Sequence, residues 1–481
     1  MKLKTILNAE AIVVMIVGLV MVFPLSFAII YRESREINAF LLAMGVTLVI
    51  GLIVYALTQG EARITLRDSF LIGALGWLLI PLFGCLPYIF AGVLPNWADA
   101  YFEAVSGFTT TGATVIADVE IVPRSILLWR SFTQWLGGIG ILLVFVALMP
   151  RTGISGSQLL KAEIPGPLAG KVVPRVTQYA KAILAVYAAL TLIGIIALFL
   201  AGLDYFEAIN HALTSIATGG FSTRNIGFGA FQNPLAECMV ILLMLLGGGN
   251  IALYYVACIK KDPLMVIRDE EYQAYLIILL TASAIVGLNL FINYSGSIVE
   301  PLRHAVFQVV SLTTGTGHVT LNYDLWPSAG RMLLFTLMFF GGCQCSTTGG
   351  IKVVRLLIAI KYIGREIRKY LHPASVSSIR INKHPVAERI ILNVMGFFML
   401  YFIFFFVSAL FLAAFGYDLV SSITASAALL GNVGPAMGVF GPLYNYAELP
   451  NMLKSWFSLV MIIGRLEIYP MLALFVALAR K

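Results

Sequence analysis

The chain has 481 residues, 59% of them hydrophobic and only 12% charged, where soluble domains carry about 25% charged residues. A mean hydropathy of +0.91 excludes an ordinary soluble protein. The net charge of +8 does not point to nucleic acid, because the basic residues alternate between loops of high and low count.

In chain order, apolar runs occupy residues 11–31, 40–56, 126–149, 183–200, 235–257, 276–292, 389–415 and 455–478. Each is near or above the roughly 20 residues a helix needs to cross hydrocarbon. The runs are continuous rather than alternating, so helices and not barrel strands are expected. The run 11–31 is too long for the core of a cleaved signal peptide, and no small-residue cleavage site follows it. With 40–56 it forms an amino-terminal pair of membrane helices.

Between the later runs stand four shorter segments: FEAVSGFTTTGA (102–113), NHALTSIATGGF (210–221), FQVVSLTTGTGH (307–318) and TASAALLGNVGP (424–435). They stack without a gap. Gly112, Gly220, Gly317 and Gly434 fall in one column, 108, 97 and 117 residues apart, with small residues Ser106, Thr214, Ser311 and Ala428 six positions earlier. Each segment lies between two spans, so the unit is helix, re-entrant pore loop, helix, four times over. Ten spanning helices follow, an even number that puts both termini on one side. Lys and Arg number two, five, three and nine in segments 59–69, 150–181, 259–272 and 352–389, against one or two per loop on the opposite face. By the positive-inside rule the basic face and both termini are cytoplasmic.

Non-helical backbone at membrane depth is tolerated only where it is buried in protein or lines an aqueous cavity. Four such turns around a pseudo-fourfold axis can direct carbonyl oxygens inward in place of a monovalent cation's hydration shell. Glycine suits the column because it reaches backbone angles closed to other residues. The expected fold is an all-α integral membrane protein with four helix–pore loop–helix repeats in pseudo-fourfold arrangement plus an extra N-terminal helix pair. The divisions are 1–66 for that pair, then 67–176, 177–270, 271–385 and 386–481 for the repeats.

Enzymatic chemistry is not expected. The five histidines (211, 304, 318, 372, 384) form no motif with paired carboxylates, as an intramembrane hydrolase would require. Five scattered cysteines give no disulfide framework, and no His or Cys cluster completes a metal site around Cys343 and Cys345.

At SGFTTTGAT, IATGGFSTRN, QWLGGIGILL, GGGNIALYY, REIRKYLHPASV and GRLE the chain resembles the Trk/Ktr/HKT superfamily of cation transporters, most of all the bacterial Trk potassium-uptake membrane subunits of the TrkH/TrkG type. The resemblance covers essentially the whole chain. It implies K⁺ uptake across the bacterial inner membrane through a filter built around one glycine per repeat, with no cofactor in this chain. Candidate ion-binding residues are Thr110, Thr111, Gly112, Gly219, Gly220, Thr316, Gly317, Asn432, Val433 and Gly434, with K⁺ held at the glycines and the residue before each. Four glycines favour K⁺ over Na⁺ within the family. A K⁺/H⁺ or K⁺/Na⁺ symporter on the same fold is the alternative, with Glu467 the mid-span carboxylate available to it. A homodimer and a cytosolic nucleotide-binding regulatory ring of the TrkA type are the implied partners, with the basic segment 361–389 in the docking surface.

Run 332–340 is followed by GGCQCSTTGGIK (341–352), whose glycine pairs and small polar residues cannot hold a straight helix. No strand precedes it and no Ser or Thr follows Lys352, so it is not a phosphate-binding loop. In the family such a loop obstructs the pore beneath the filter, which makes Gly341, Gly342, Gly349 and Gly350 hinge candidates within a gate at 341–350. Arg465 lies mid-span, where ionisable groups are functional candidates. It either ties helices together in a salt bridge or sits beside the gate loop, bonding its freed carbonyls and repelling cations. Pairing with Glu467, two residues on, is not expected. Asp99, Glu103, Asp204 and Glu207, at the outer ends of two pore helices, either concentrate cations at the mouth or serve helix stability. His318 is expected to face the mouth.

Overall fold

The computed structural model describes residues 3–59, 66–140, 176–293, 299–374 and 377–479. The basic segment 150–181 lies mostly outside them. The described residues are largely helical, with one antiparallel pair of two-residue strands, Arg380–Ile381 and His384–Pro385.

Among the described residues six helices are long and apolar enough to cross a membrane: Leu3–Tyr31, Ser34–Leu57, Asp68–Phe90, Ala180–Leu200, Glu270–Asn293 and Glu388–Ala414. The first two are the amino-terminal pair, and the other four are the outer helices of the repeats. Three outer helices keep an exposed apolar flank, with Leu192 and Ile196, Leu280 and Leu288, and Leu392 and Met399, as lipid-facing helices do, whereas Asp68–Phe90 is mostly buried.

After each outer helix comes a short pore helix: Trp97–Phe108, Tyr205–Ile216, Val299–Thr313 and Leu419–Leu430. Twelve residues rise about 18 Å, little more than half the hydrocarbon thickness. Asn96, Asp204 and Asp418 start three of them by accepting hydrogen bonds from Ala98, Glu207 and Ser421 N–H groups, which satisfies donors that a helix start leaves open. Their later turns are almost wholly buried and rich in Ala, Ser and Thr, small enough for backbones to approach closely.

Ten spans were expected with only the inner helix of the third repeat interrupted, and here the structure differs. The inner helix of each repeat is not one straight rod. Arg124–Gly138 stops at Gly138, and the rest of run 126–149 lies beyond residue 140, outside the described residues. Pro234–Gly248 and Ile251–Lys260 meet at 90°. Ser328–Leu337 and Val353–Leu371 are separated by a loop, and Asn451–Arg465 and Tyr469–Ala479 by the left-handed residues Glu467 and Ile468. The physical reason is close approach. A Cβ added at Gly137, Gly247 or Gly464 would lie 1.8, 2.5 or 2.1 Å from the carbonyl oxygen of Phe108, Ile216 or Leu430, the last residue of the pore helix in the same repeat. These three inner helices therefore pass their pore helices in backbone contact and break just beyond that point.

The repeats close into a ring. The inner helix of the first repeat packs on the second pore helix, that of the second on the third, and that of the fourth on the first.

Candidate ion pathway

The four pore helices end in the same backbone turn. The N–H groups of Thr111, Gly219, Thr316 and Val433 donate to Ser106, Thr214, Ser311 and Ala428 carbonyls at 2.8–2.9 Å. Two residues before each column glycine, Thr110, Thr218, Gly315 and Asn432 are left-handed (φ 52–66°), and the glycines themselves have φ of 75–92°. Three of the four left-handed positions before the column hold side chains, so the strain is built into the turn.

These turns interlock in cyclic order. A Cβ on Gly112 would lie 2.2 Å from the Gly219 carbonyl oxygen, one on Gly220 1.8 Å from that of Thr316, one on Gly317 2.1 Å from that of Val433, and one on Gly434 2.4 Å from that of Thr111. Each glycine thus abuts the carbonyl before the glycine of the next repeat, and the fourth returns to the first. All four glycines line one vestibule of about 120 Å³.

The ring is not fourfold in chemistry. Gly219 already accepts a 2.6 Å hydrogen bond from Gln134 Nε2, and Gly434 one of 2.8 Å from the Tyr446 hydroxyl. Thr109 and Thr314 hold the hydroxyls of Thr111 and Thr316 at 2.7 Å. Asn432 Nδ2 donates to Thr111 Oγ1 at 2.9 Å and to the Met461 carbonyl at 3.0 Å.

Beneath the turns lies loop 338–352. Cys343 and Thr347 N–H groups donate to the Gly248 and Gly247 carbonyls at 2.8 and 3.2 Å, and Thr347 Oγ1 donates to Ile216 and Gly247 oxygens at 3.1 and 3.0 Å. Gly341 N donates to Ile351 O and Ile351 N to Phe339 O, joining the two ends of the loop. Gly341, Gly342 and Gly349 sit where a Cβ would lie 2.1, 2.1 and 2.5 Å from Gly349 O, Gly248 O and Asn432 Oδ1, and Gly350 has φ 67°. Lys352 Nζ caps the loop from inside, on Thr348 O (2.5 Å), Thr348 Oγ1 (2.9 Å) and Ser346 Oγ (3.1 Å). Glu271 Oε1 accepts from Gln344 and Val354 N–H groups at 2.7 and 3.1 Å.

Arg465 joins three repeats. Its guanidinium donates to the Thr347 carbonyl of the loop, to Thr110 Oγ1 at 3.2 Å, and to Gly137 and Gly138 carbonyls at 2.8 and 3.2 Å. Glu467 instead pairs with Arg355, whose guanidinium lies 4.0 Å from the Phe397 ring centroid. Arg465, Glu467, Lys352, Thr348, Gly349 and Gly350 line a cavity of about 100 Å³ on the loop side of the filter turns.

On the vestibule side the carboxylates are engaged. Asp99 lies 2.5 Å from Lys454, Glu103 2.8 Å from buried Arg130, and Glu207 3.0 Å from Arg224, while Asp204 caps its pore helix. Arg130 and Lys454, counted from sequence among loop charges, are buried. His318 does not face the mouth. It is buried, with Nε2 3.3 and 3.1 Å from Thr214 and Ser215 hydroxyls and its ring 5.8 Å from that of His211. An apolar pocket edge from Phe228 makes burial of the ring favourable there. At the rim, hydrogen bonds from Asn225 Nδ2 and Glu120 N hold the exposed Asp118 carboxyl below its ordinary range.

Sequence reasoning missed Arg130, Gln134, Glu271, Arg355 and Tyr446. Their only signal was a polar side chain inside an otherwise apolar helix or beside a filter turn.

Four re-entrant half-helices whose turns interlock around one axis, with broken inner helices beneath, define a pore-loop membrane protein. The TrkH family profile, described as cation transport protein, matches residues 36–480. The Trk system potassium uptake protein TrkH of Halomonas elongata is 36% identical over 479 residues, covering 99% of this chain and 98% of that protein. Its namesake from Escherichia coli K12 is 36% identical over 481 residues, 99% of each. The crystal structure of the potassium transporter TrkH from Vibrio parahaemolyticus superposes with a TM-score of 0.88 at 31% identity, covering 98% of both chains. The chain belongs to the TrkH family of cation transport proteins; it is a transporter and not an enzyme.

Proposed function

We propose that this protein takes up K⁺ through a filter formed by Thr111–Gly112, Gly219–Gly220, Thr316–Gly317 and Val433–Gly434, with loop 338–352 as the gate beneath. The observation that carries the reading is the closed cycle of glycine–carbonyl contacts opening into one vestibule. Carbonyl rings substitute for a K⁺ hydration shell, and the curated relatives are potassium uptake proteins by name. The gate role rests on the hydrogen bonds that hold the loop to the second repeat, and on Arg465 across it. In this reading the loop side faces the cytoplasm of a bacterial inner membrane, with both termini there. Exposed Arg368 and Lys369 then belong to the face that a cytosolic nucleotide-binding ring would meet, and two copies form the functional dimer.

The test is Rb⁺ tracer uptake by purified protein in K⁺-loaded liposomes, with Na⁺ competition and Gly112→Ser alongside. Uptake blocked better by K⁺ than by Na⁺, with discrimination weakened in the variant, supports the filter. Na⁺ preference in the wild type rejects the K⁺ assignment. Symport with H⁺ or Na⁺ is the competing reading, and Glu467 on the loop-side cavity is the group it would use. Uptake that persists when H⁺ and Na⁺ gradients are collapsed decides against coupling.

A further inference from the structure

Nine residues before each filter glycine stand Glu103, His211, Gln308 and Ala425. Seven residues before the packing glycines of three inner helices stand Arg130, Val240 and Phe457. Among these positions only the first repeat carries opposite charges at both, and both side chains are buried. Taking two charges out of water is expensive, and a buried pair is weak evidence of net stability. Its place beside the vestibule calls for another role.

The guanidinium touches two repeats at once. Arg130 Nε donates to Glu103 Oε1 at 2.8 Å and Nη2 to Thr114 Oγ1 at 3.2 Å, two residues after Gly112. Nη1 donates to the Ser222 carbonyl at 3.3 Å, two residues after Gly220, and the plane lies 4.1 Å from the Phe221 ring centroid. Glu103 accepts in turn from Thr114 Oγ1 at 3.0 and 3.1 Å and from Val115 N at 2.9 Å. One planar, fully charged fork therefore links the strands that leave the first and second filter turns. At the matching positions the other repeats have no Arg–Glu pair: His211 sits on Ser222 Oγ (3.1 Å), Gln308 on Thr320 Oγ1 (3.3 Å) and Thr424 Oγ1 on Met437 N (3.1 Å), and the charged contact of the second repeat, Glu207 with Thr223 Oγ1 and Arg224, stays within that repeat.

We propose that Arg130 and Glu103 are positioning residues for selectivity. They form an inter-repeat clamp that fixes the spacing of the first two filter strands, and Glu103 cancels the positive charge that Arg130 would otherwise present to cations in the vestibule. The inference rests on the filter reading above. A planar guanidinium that donates to Glu103, Thr114 and Ser222 at once holds geometry that a lysine point charge cannot, and an uncancelled cation in a low-dielectric mouth lowers the local concentration of K⁺.

The experiment measures Rb⁺ tracer uptake by the full chain in liposomes, reading KM, maximal rate and the K⁺-to-Na⁺ competition ratio. Arg130→Lys is expected to lower that ratio roughly tenfold, the scale of one charge-assisted hydrogen bond. Glu103→Gln keeps the shape and is expected to raise KM several-fold, less so at high salt. Thr114→Val removes the shared hydroxyl and serves if Arg130→Lys does not fold. A lower maximal rate with unchanged competition ratio and KM in these variants overturns the clamp, because a merely structural pair would scale only the amount of working protein. Gly112→Ser separates the two levels. If it shifts the ratio while Arg130→Lys and Thr114→Val do not, the clamp alone fails. If Gly112→Ser leaves the ratio unchanged, the filter reading fails and the clamp with it.

Discussion

Gly220 has the tightest contact of the filter column, with φ 76° and an added Cβ 1.8 Å from the Thr316 carbonyl oxygen. Left-handed backbone costs a non-glycine residue about 1–2 kcal/mol, and the neighbour here is backbone that cannot swing aside. Gly220→Ala should reduce Rb⁺ uptake at least about tenfold. Gly45, mid-helix with nothing within 4 Å of an added Cβ, is the matched control. Gly45→Ala should leave uptake unchanged and raise stability by about 0.5–1 kcal/mol, read by thermal unfolding. Equal effects of the two substitutions would contradict the interlocked ring. The glycine column was legible in sequence because four copies in one register mark it. The left-handed residues two positions earlier were not, since Thr110, Thr218 and Asn432 look like ordinary polar loop residues.

At the scale of elements, the sequence revealed one helix break of four. GGCQCSTTGG interrupts hydrophobicity over ten residues, whereas Gly137–Gly138 and Gly247–Gly249 sit inside unbroken apolar runs. Hydropathy does not register a bend made by backbone contact with a pore helix. The burial of Arg130 and His318 was hidden for a related reason: His318 Nε2 meets the second repeat, and Arg130, held by Glu103 and Thr114 of its own repeat, also reaches Ser222 of the second, and a single sequence carries no pairing between segments 90 or more residues apart. For loop 338–352 the contacts themselves make a prediction. Thr347 Oγ1 touches Ile216 O, Gly247 O and Thr218 Oγ1, all in the second repeat. Thr347→Val keeps the shape and removes about 1 kcal/mol of net hydrogen bonding, which shifts a closed loop toward open. Uptake should rise about fivefold with an unchanged K⁺-to-Na⁺ ratio. A fall in uptake would mean that the loop is part of the open path and not its obstruction.

On the scale of the molecule, the amino-terminal pair stands outside the ring, packed along the first outer helix and tied at one end to the joint between two repeats. The Glu33 carboxylate accepts from Arg124 and Ser125 N–H groups at 2.8 and 3.1 Å and from the Ser125 hydroxyl, capping the first inner helix from another part of the chain. The Tyr31 hydroxyl donates to that of Tyr205 at 3.0 Å, and the Arg124 guanidinium lies 4.9 and 5.4 Å from the Tyr31 and Phe206 ring centroids. The pair therefore spans the joint between the first two repeats at the end away from loop 338–352. None of its residues lines the vestibule or the loop-side cavity. Its role is to brace that joint, so losing the cap should cost stability and leave ion choice alone. Glu33→Ala removes an acceptor from open helix N–H groups, worth about 1 kcal/mol. The thermal unfolding midpoint of the purified protein should fall, while KM and the K⁺-to-Na⁺ competition ratio match wild type. A shifted ratio in Glu33→Ala would instead mean that strain at this joint reaches the strand after Gly112, and that the pair belongs to the selectivity apparatus.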